Sequence, residues 1–480
     1  MKNIGKVALA TLPIGSCGDT PRERYRMDVE ALVAKQRAYF QSGKTLSVAY
    51  RLDMLKRLKR AVTQNEGRIA AALQGDLNKT PFEAYMTETG MVLDEIGYAI
   101  KHAASWARKR TVRTPLAQFC ARSFILPEPY GVALIMAPWN YPFQLCLSPL
   151  VGAIAAGNCA ILKPSAYAPN TSRLLAALLG ELFPPEYVAV VEGGREENTA
   201  LLQQRFDYIF FTGSVSVGKH VMACASRNVT PVSLELGGKS PVIVDKSADL
   251  ALAAKRVAFG KCLNAGQTCV APDYVLAETS IYDAFIAQVQ KAMAAFYPNG
   301  EYAAMPTIVN DKHFARVMGL IQMDKVVFGG GSDAKRRFIE PTLMKDVAWD
   351  DPVMGEEIFG PVLPVLRYDD LDEAIEKIIE RPKPLALYLF TTDKAVEKKV
   401  LSRVAFGGGC VNDTIIHLAT PYMGFGGVGE SGMGSYHGKR GFDAFTHYKS
   451  VVKKHNFIDL PMRYQPYTNA HFKLVRMFLK

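Results

Sequence analysis

The sequence predicts an α/β protein with two parallel-sheet units. Short apolar runs of strand length alternate with helical segments from residue 132 onward. The alternation restarts after residue 237, and residues 22–113 ahead of it carry helical spacing almost throughout. Consecutive parallel strands need a crossover, usually a helix, so this alternation implies parallel sheets with helices on both faces. Such sheets offer ligand sites at the carboxyl ends of their strands.

The elements follow in order. Val29, Leu32, Val33 and Phe40 share one helical face, as do Leu52, Leu55 and Leu58, and then Val62, Ile69 and Leu73. Pro81 interrupts this pattern before a further helical stretch through Trp106. Strands are expected at 132–137, 159–163, 188–191, 208–211 and 233–236, with helices at 149–156, 172–183 and 217–225 between them. The second unit opens with a strand at 241–244 and a helix at 250–263, and continues with apolar runs at 362–366 and 386–390. Residues 422–438 are rich in glycine and read as a loop crossing between domains. Segments 119–129 and 446–455 read as strands able to pair across a subunit interface.

With 480 residues, the chain can bury two or three cores. Its hydrophobic share of 49% is that of an ordinary globular protein. The net charge of +11 (57 Lys+Arg against 46 Asp+Glu) favours anionic ligands. The basic residues are scattered and no basic–aromatic module appears, so no nucleic-acid partner is expected. Eight cysteines show neither a C-x-x-C pair nor metal-ligand spacing. They read as reduced thiols in a cytoplasmic protein without a metal site. No apolar run reaches the ~18 residues of a membrane span. Residues 1–17 faintly imitate a lipoprotein leader, but the apolar stretch is short and contains Pro13, so a soluble start is expected.

Five short segments carry chemistry. Cys269 sits in Asn264-Ala265-Gly266-Gln267-Thr268-Cys269-Val270-Ala271-Pro272, among small and polar residues that could keep its sulfur partly wet. Cys224 and Cys262 lie instead in apolar helical patterns, as packing cysteines do. The setting suits a nucleophilic thiolate, although a lone cysteine is more often an inert buried one. Pro138-Trp139-Asn140-Tyr141-Pro142-Phe143 follows a strand and fixes Asn140, whose amide can donate to a developing oxyanion or simply satisfy its own turn. Lys163-Pro164-Ser165 follows another strand, where a cofactor's sugar or phosphate would be met. Thr212-Gly213-Ser214-Val215-Ser216-Val217-Gly218 joins a strand to a helix whose first amides can hold a pyrophosphate; its glycines are five apart, unlike the common dinucleotide fingerprint. Glu235 precedes Gly237-Gly238, where partial burial would suit it as a general base. In Glu356-Glu357-Ile358-Phe359-Gly360-Pro361, Glu357 could bind a sugar diol.

Together, and in this order, these segments resemble the aldehyde dehydrogenase superfamily from about residue 25 to about 455. The runs 266–274 and 432–438 look like its class 3 branch, which includes fatty and aromatic aldehyde dehydrogenases. The resemblance implies an aldehyde dehydrogenase-like fold with a Rossmann-type NAD(P)-binding domain (1–118 and 130–232), an α/β catalytic domain (233–418), small oligomerisation strands (119–129 and 441–456) and a tail (457–480). It implies oxidation of a medium- or long-chain aliphatic or aromatic aldehyde to the acid. Cys269 matches the nucleophile, Asn140 the oxyanion donor and Glu235 the base that activates water. Lys163 matches the contact to the adenosine ribose, Gly213, Ser214 and Gly218 the cofactor turn, Glu357 the nicotinamide ribose and Phe359 a neighbour of the nicotinamide; Trp139 and Ser165 are also expected to bind the cofactor.

One departure bears on the cofactor. NAD-selective members commonly carry a glutamate at the position of Ala166. Its absence removes a repulsion against a 2′-phosphate, so either NAD or NADP is expected, with NADP tolerated or preferred. Class 3 relatives are usually dimers, so a homodimer is expected. The tail from His471 to Lys480 alternates apolar and basic residues. It is expected to dock on a subunit, with peripheral membrane contact as the alternative.

Overall fold

The computed structural model describes residues 29–479. The leader-like residues 1–17 lie outside them. Four long helices, Val29–Gln41, Val48–Gln64, Glu66–Leu77 and Gly90–Trp106, form the expected helical start. Pro81 does not merely interrupt them. It occupies the first turn of the short helix Pro81–Ala84, capped by Thr80, whose hydroxyl accepts the Glu83 N–H. That helix runs into a π-helical turn, Tyr85–Thr89.

The first sheet has six strands in the order Gly432–Met433, Val232–Glu235, Tyr208–Thr212, Val132–Met136, Cys159–Lys163 and Val188–Val190. All neighbours are parallel except the Gly432–Met433 edge. The central strands are buried along their whole length, which is why they read as continuous apolar runs rather than alternating ones. The expected domain boundary at 232/233 falls inside a strand of this sheet. Val232–Glu235 pairs in register with Tyr208–Thr212, because its two buried faces complete the same layers.

The helix expected at 149–156 begins earlier, at Gln144, and Pro149 lies inside it. A proline after a turn signals a helix start by sequence alone. Here the chain enters the helix from the Asn140 loop, and the Phe143 and Gln144 N–H groups are capped from elsewhere, by the Glu88 carboxylate. Every residue of Gln144–Ala156 is buried.

The second sheet has seven strands, ordered Val326–Phe328, Thr342–Met344, Val362–Tyr368, Tyr274–Glu278, Pro241–Val244, Ala386–Phe390 and Gly408–Val411. Only its Val326–Phe328 edge is antiparallel. A third, antiparallel sheet joins Arg110–Val112, Ala121–Pro129 and Thr446–Lys454. Ala121–Pro129 and Thr446–Lys454 pair with each other over nine residues, within one chain, where the sequence reading placed them across an interface. The glycine-rich segment returns to the first sheet. Gly432–Met433 pairs with Glu235 and Leu234, and Phe425 bridges Tyr436. The tail forms the helix Asn469–Phe478, and Phe472 and Met477 on it stay exposed. No helix among the described residues is long and apolar enough to cross a membrane.

Candidate functional site

The loop between helix Leu250–Cys262 and strand Tyr274–Glu278 carries Cys269. Its entry is left-handed at three successive residues, with φ of 50° at Asn264, 52° at Ala265 and 70° at Gly266. Asparagine tolerates this region, alanine pays for it, and glycine is required at 266 on two counts. A Cβ there would also lie 2.2 Å from the Gly360 carbonyl oxygen. The Cys269 loop is therefore pressed directly on the loop that carries Glu357 and Phe359.

Buried polar groups hold this arrangement. The Asn264 N–H donates to Glu83 Oε1 at 2.7 Å, and its side-chain amide donates to the Asn140 and Gln267 carbonyls at 2.9 and 3.1 Å. The Gln267 amide donates to the Asn264 and Thr307 carbonyls and accepts the Val309 N–H, each at 3.1 Å. Gln267 thus supports the loop from inside and does not wet the sulfur, contrary to the sequence reading. The Thr268 hydroxyl meets the Tyr141 hydroxyl at 2.5 Å.

Asn140 sits beyond the end of strand Val132–Met136. Its Nδ2 donates to the Gln267 carbonyl at 3.0 Å, two residues before Cys269. A primary amide has two N–H groups, so one remains for a ligand. Glu235 ends its strand buried, and neither carboxylate oxygen has a hydrogen-bond partner among the described residues. Burial without compensation pushes its pKa well above the ordinary carboxylate range. The half-buried Cys269 thiol is also pushed up, first by burial and then by the charges of Glu357 and Glu235. The N–H groups of Cys269 and Val270 oppose that shift.

An apolar cavity of about 180 Å³ has Cys269 in its wall. Met86, Leu145, Phe259, Ile415, Phe425 and Tyr436 are among its walls. Sequence reasoning missed these residues because they come from five separate segments. The one available signal was the aromatic residues spaced among the glycines at 422–438.

A second cavity, about 590 Å³, is bounded by Lys163, Ser165, Ala166, Gly193 and Val217; Trp139, Gly213, Ser214, Gly218, Glu357 and Phe359 are not among its walls. Lys163 is buried, and its ammonium donates to the Pro164 and Gly193 carbonyls at 2.8 and 2.7 Å, leaving one N–H. Arg195 and His220 also border this cavity and were not singled out by sequence. Ser214 caps helix Val215–Ser226 without a side-chain hydrogen bond, so the first amides of that helix stay open. Its hydroxyl is instead 3.3 Å from that of Ser216. Gly213 donates its N–H to the Glu235 carbonyl at 3.0 Å, and a Cβ on Gly218 would meet Leu236 at 2.5 Å, so both also fit helix to sheet. Glu357 is pushed up to about 8 by burial and then by Asp273, and its Oε1 is buried without a partner. Trp139 and Phe359 pack edge to face with ring centres 5.3 Å apart. The orphaned Glu357 oxygen, the spare Lys163 N–H and the open helix amides are the kinds of donor and acceptor that a dinucleotide would use.

Residues 16–451 match the aldehyde dehydrogenase family. The chain is 48% identical over 457 residues to 4,4′-diaponeurosporen-aldehyde dehydrogenase of Staphylococcus aureus, covering 94% of this chain and 99% of that protein. It is 44% identical over 445 residues to the dimeric NADP-preferring aldehyde dehydrogenase of Canis lupus familiaris, covering 91% and 98%. The solved structure of Staphylococcus aureus AldH in its substrate-bound state superposes with a TM-score of 0.92 at 47% identity, covering 94% and 99%.

The charges around Cys269 give a direct expectation. Alkylation of Cys269 by iodoacetamide, followed by peptide mass spectrometry, should show its acid limb above the ordinary thiol range of ~8.5. Glu357→Gln should move that limb to lower pH, because removing a negative neighbour favours the thiolate. An unmoved limb would show that the charge at 357 does not reach the sulfur.

Proposed function

The chain belongs to the aldehyde dehydrogenase family and oxidises aldehydes with NAD(P), and we propose that Cys269, Asn140 and Glu235 carry the reaction. The observation that carries this reading is the apolar cavity lined in part by Cys269, whose sulfur lies within electrostatic reach of Glu235. The Cys269 thiolate attacks the aldehyde carbon and forms a thiohemiacetal. Its oxyanion is held by the spare Asn140 N–H and the Cys269 backbone N–H. The dinucleotide supplies a hydride acceptor at its nicotinamide. Lys163 would hold its adenosine ribose, Gly213, Ser214 and Gly218 would form the turn for its pyrophosphate, Glu357 would hold the nicotinamide ribose, Phe359 would neighbour the nicotinamide, and Ser165 and Trp139 would contact the cofactor. Cys269 then carries the acyl group as a thioester. Glu235 takes a proton from water as that water attacks the thioester, and Cys269 leaves as the acid is released. Burial serves this step by keeping Glu235 basic. A carboxylate in this place favours water over a thiol as the final acceptor.

The substrate class follows from the cavity walls. They are apolar and aromatic, which suits a medium- or long-chain aliphatic or an aromatic aldehyde. The Staphylococcus aureus relative is named for 4,4′-diaponeurosporen-aldehyde, which supports the same reading. Ala166, with Lys163, Ser165 and Arg195 around it, supports use of NADP as well as NAD. The seven described cysteines are all free, in keeping with a cytoplasmic protein. A homodimer with the helix Asn469–Phe478 docked on the partner would cover the exposed Phe472 and Met477. Peripheral contact with a membrane surface is the alternative for that helix.

In stopped-flow measurements at 340 nm, Glu235→Gln should give a burst of one reduced cofactor per subunit and then stall as acyl-enzyme. Full steady-state turnover would remove Glu235 from deacylation. The wild type should use NADP with kcat/KM at least equal to that for NAD, and Ala166→Glu should reverse the order; strict NAD dependence in the wild type would defeat that reading. Across n-alkanals, kcat/KM should rise by up to about fourfold per methylene, from ~0.8 kcal/mol per buried CH₂, until the cavity is filled. A flat series would point to a small or polar substrate.

A further inference from the structure

We propose that Lys79 and Glu88 are positioning residues for the oxyanion site, holding the Asn140 loop against the Cys269 loop. The inference rests on the role given above to Asn140. Lys79 Nζ stands 2.6 Å from Glu88 Oε1, and neither side chain has any exposure. The same ammonium donates to the Asn140 carbonyl at 2.9 Å and lies 4.0 Å from the centre of the Tyr141 ring. The other Glu88 oxygen accepts the N–H groups of Phe143 and Gln144 at 2.8 and 3.1 Å. The ion pair thus grips the loop at Asn140 and again three and four residues later. Glu83, from the same segment, accepts the Asn264 N–H and so grips the Cys269 loop.

The local structure is shaped for this purpose. Asn78 turns the chain at φ 57°, and the π-helical turn Tyr85–Thr89 sets Glu88 inward while Met86 and Thr87 line the apolar cavity. Folding stability alone does not account for the pair. A buried ion pair is often no more stable than apolar residues of equal volume, because both charges lose their hydration. What the pair supplies, and an apolar pair cannot, is a directional hold on a backbone carbonyl and two backbone N–H groups.

The test is a double-mutant cycle on the full-length enzyme with an n-alkanal and NADP. Removing one oxyanion donor costs about 10²–10³ in kcat, and Asn140→Ala should fall in that range. Lys79→Met should lower kcat about 10–100-fold, a large part of that loss, with little change in aldehyde KM or in NADP affinity by fluorescence titration. Lys79→Arg should recover part of it. Added to Asn140→Ala, Lys79→Met should cost little more, because both act through one group. An independent, multiplicative loss in that background overturns the inference. An Asn140→Ala enzyme with wild-type kcat overturns the role of Asn140 instead. If Lys79→Met alone fails to fold, Lys79→Met/Glu88→Leu, which leaves no orphan charge, takes its place in the cycle. Failure of both variants to fold would make the pair a folding element and overturn the proposal.

Discussion

The contact between the Gly266 and Gly360 backbones fixes where everything else at this site can stand. One loop leaves a helix of the second unit and brings Cys269, and the other brings Glu357 and Phe359. With no side chain between them, the sulfur comes within electrostatic reach of the buried carboxyl. Any residue larger than glycine at 266 would separate the loops and would also resist the left-handed turn. The third participant, the Asn140 loop from the first sheet, joins through hydrogen bonds to Asn264 and Gln267 rather than through apolar packing. Directional contacts are what can set a donor near a reacting atom, since packing alone tolerates small slides.

The electrostatics follow from the same closeness. Cys269, Glu235 and Glu357 are three acids drawn together in a poorly hydrated space, and each is pushed toward its protonated form. Burial is the largest cause in every case, with mutual repulsion adding to it at the thiol. The unpartnered oxygens of Glu235 and Glu357 are costly for folding and useful for chemistry. In the proposed mechanism, the first is the carboxyl that takes a proton from water and the second the one that receives a sugar hydroxyl. Elsewhere in the same core, Glu88 is buried just as fully but has three donors around it, which marks it as a structural anchor rather than a reacting group.

Much of this was legible in the residues themselves. The buried parallel strands announced themselves as apolar runs, and Cys269, Asn140, Glu235, Lys163 and Glu357 each stood within three residues of a glycine or proline in a short, unusual segment. Less legible were features that depend on distant partners. Gln267 looked like a polar neighbour of the sulfur and is an internal brace, because its partners Thr307 and Val309 lie some forty residues on. Helix Gln144–Ala156 starts before its proline because its cap comes from Glu88. The strand Val232–Glu235 belongs to the first sheet because pairing, not sequence position, decides membership.

Local sequence therefore determined the kind of chemistry: an exposed-looking thiol, an amide donor, a carboxylate at a strand end and a cofactor turn, each set by backbone preferences that act over a few residues. Tertiary structure alone decided the environment in which these groups work. The walls of the apolar cavity, the presence of Arg195 and His220 in the cavity that Ala166 lines, and the Lys79–Glu88 grip on the Asn140 loop all join residues far apart in the chain. Hydration, charge and reach depend on what folding brings into contact, and a list of neighbours along the chain does not contain that information.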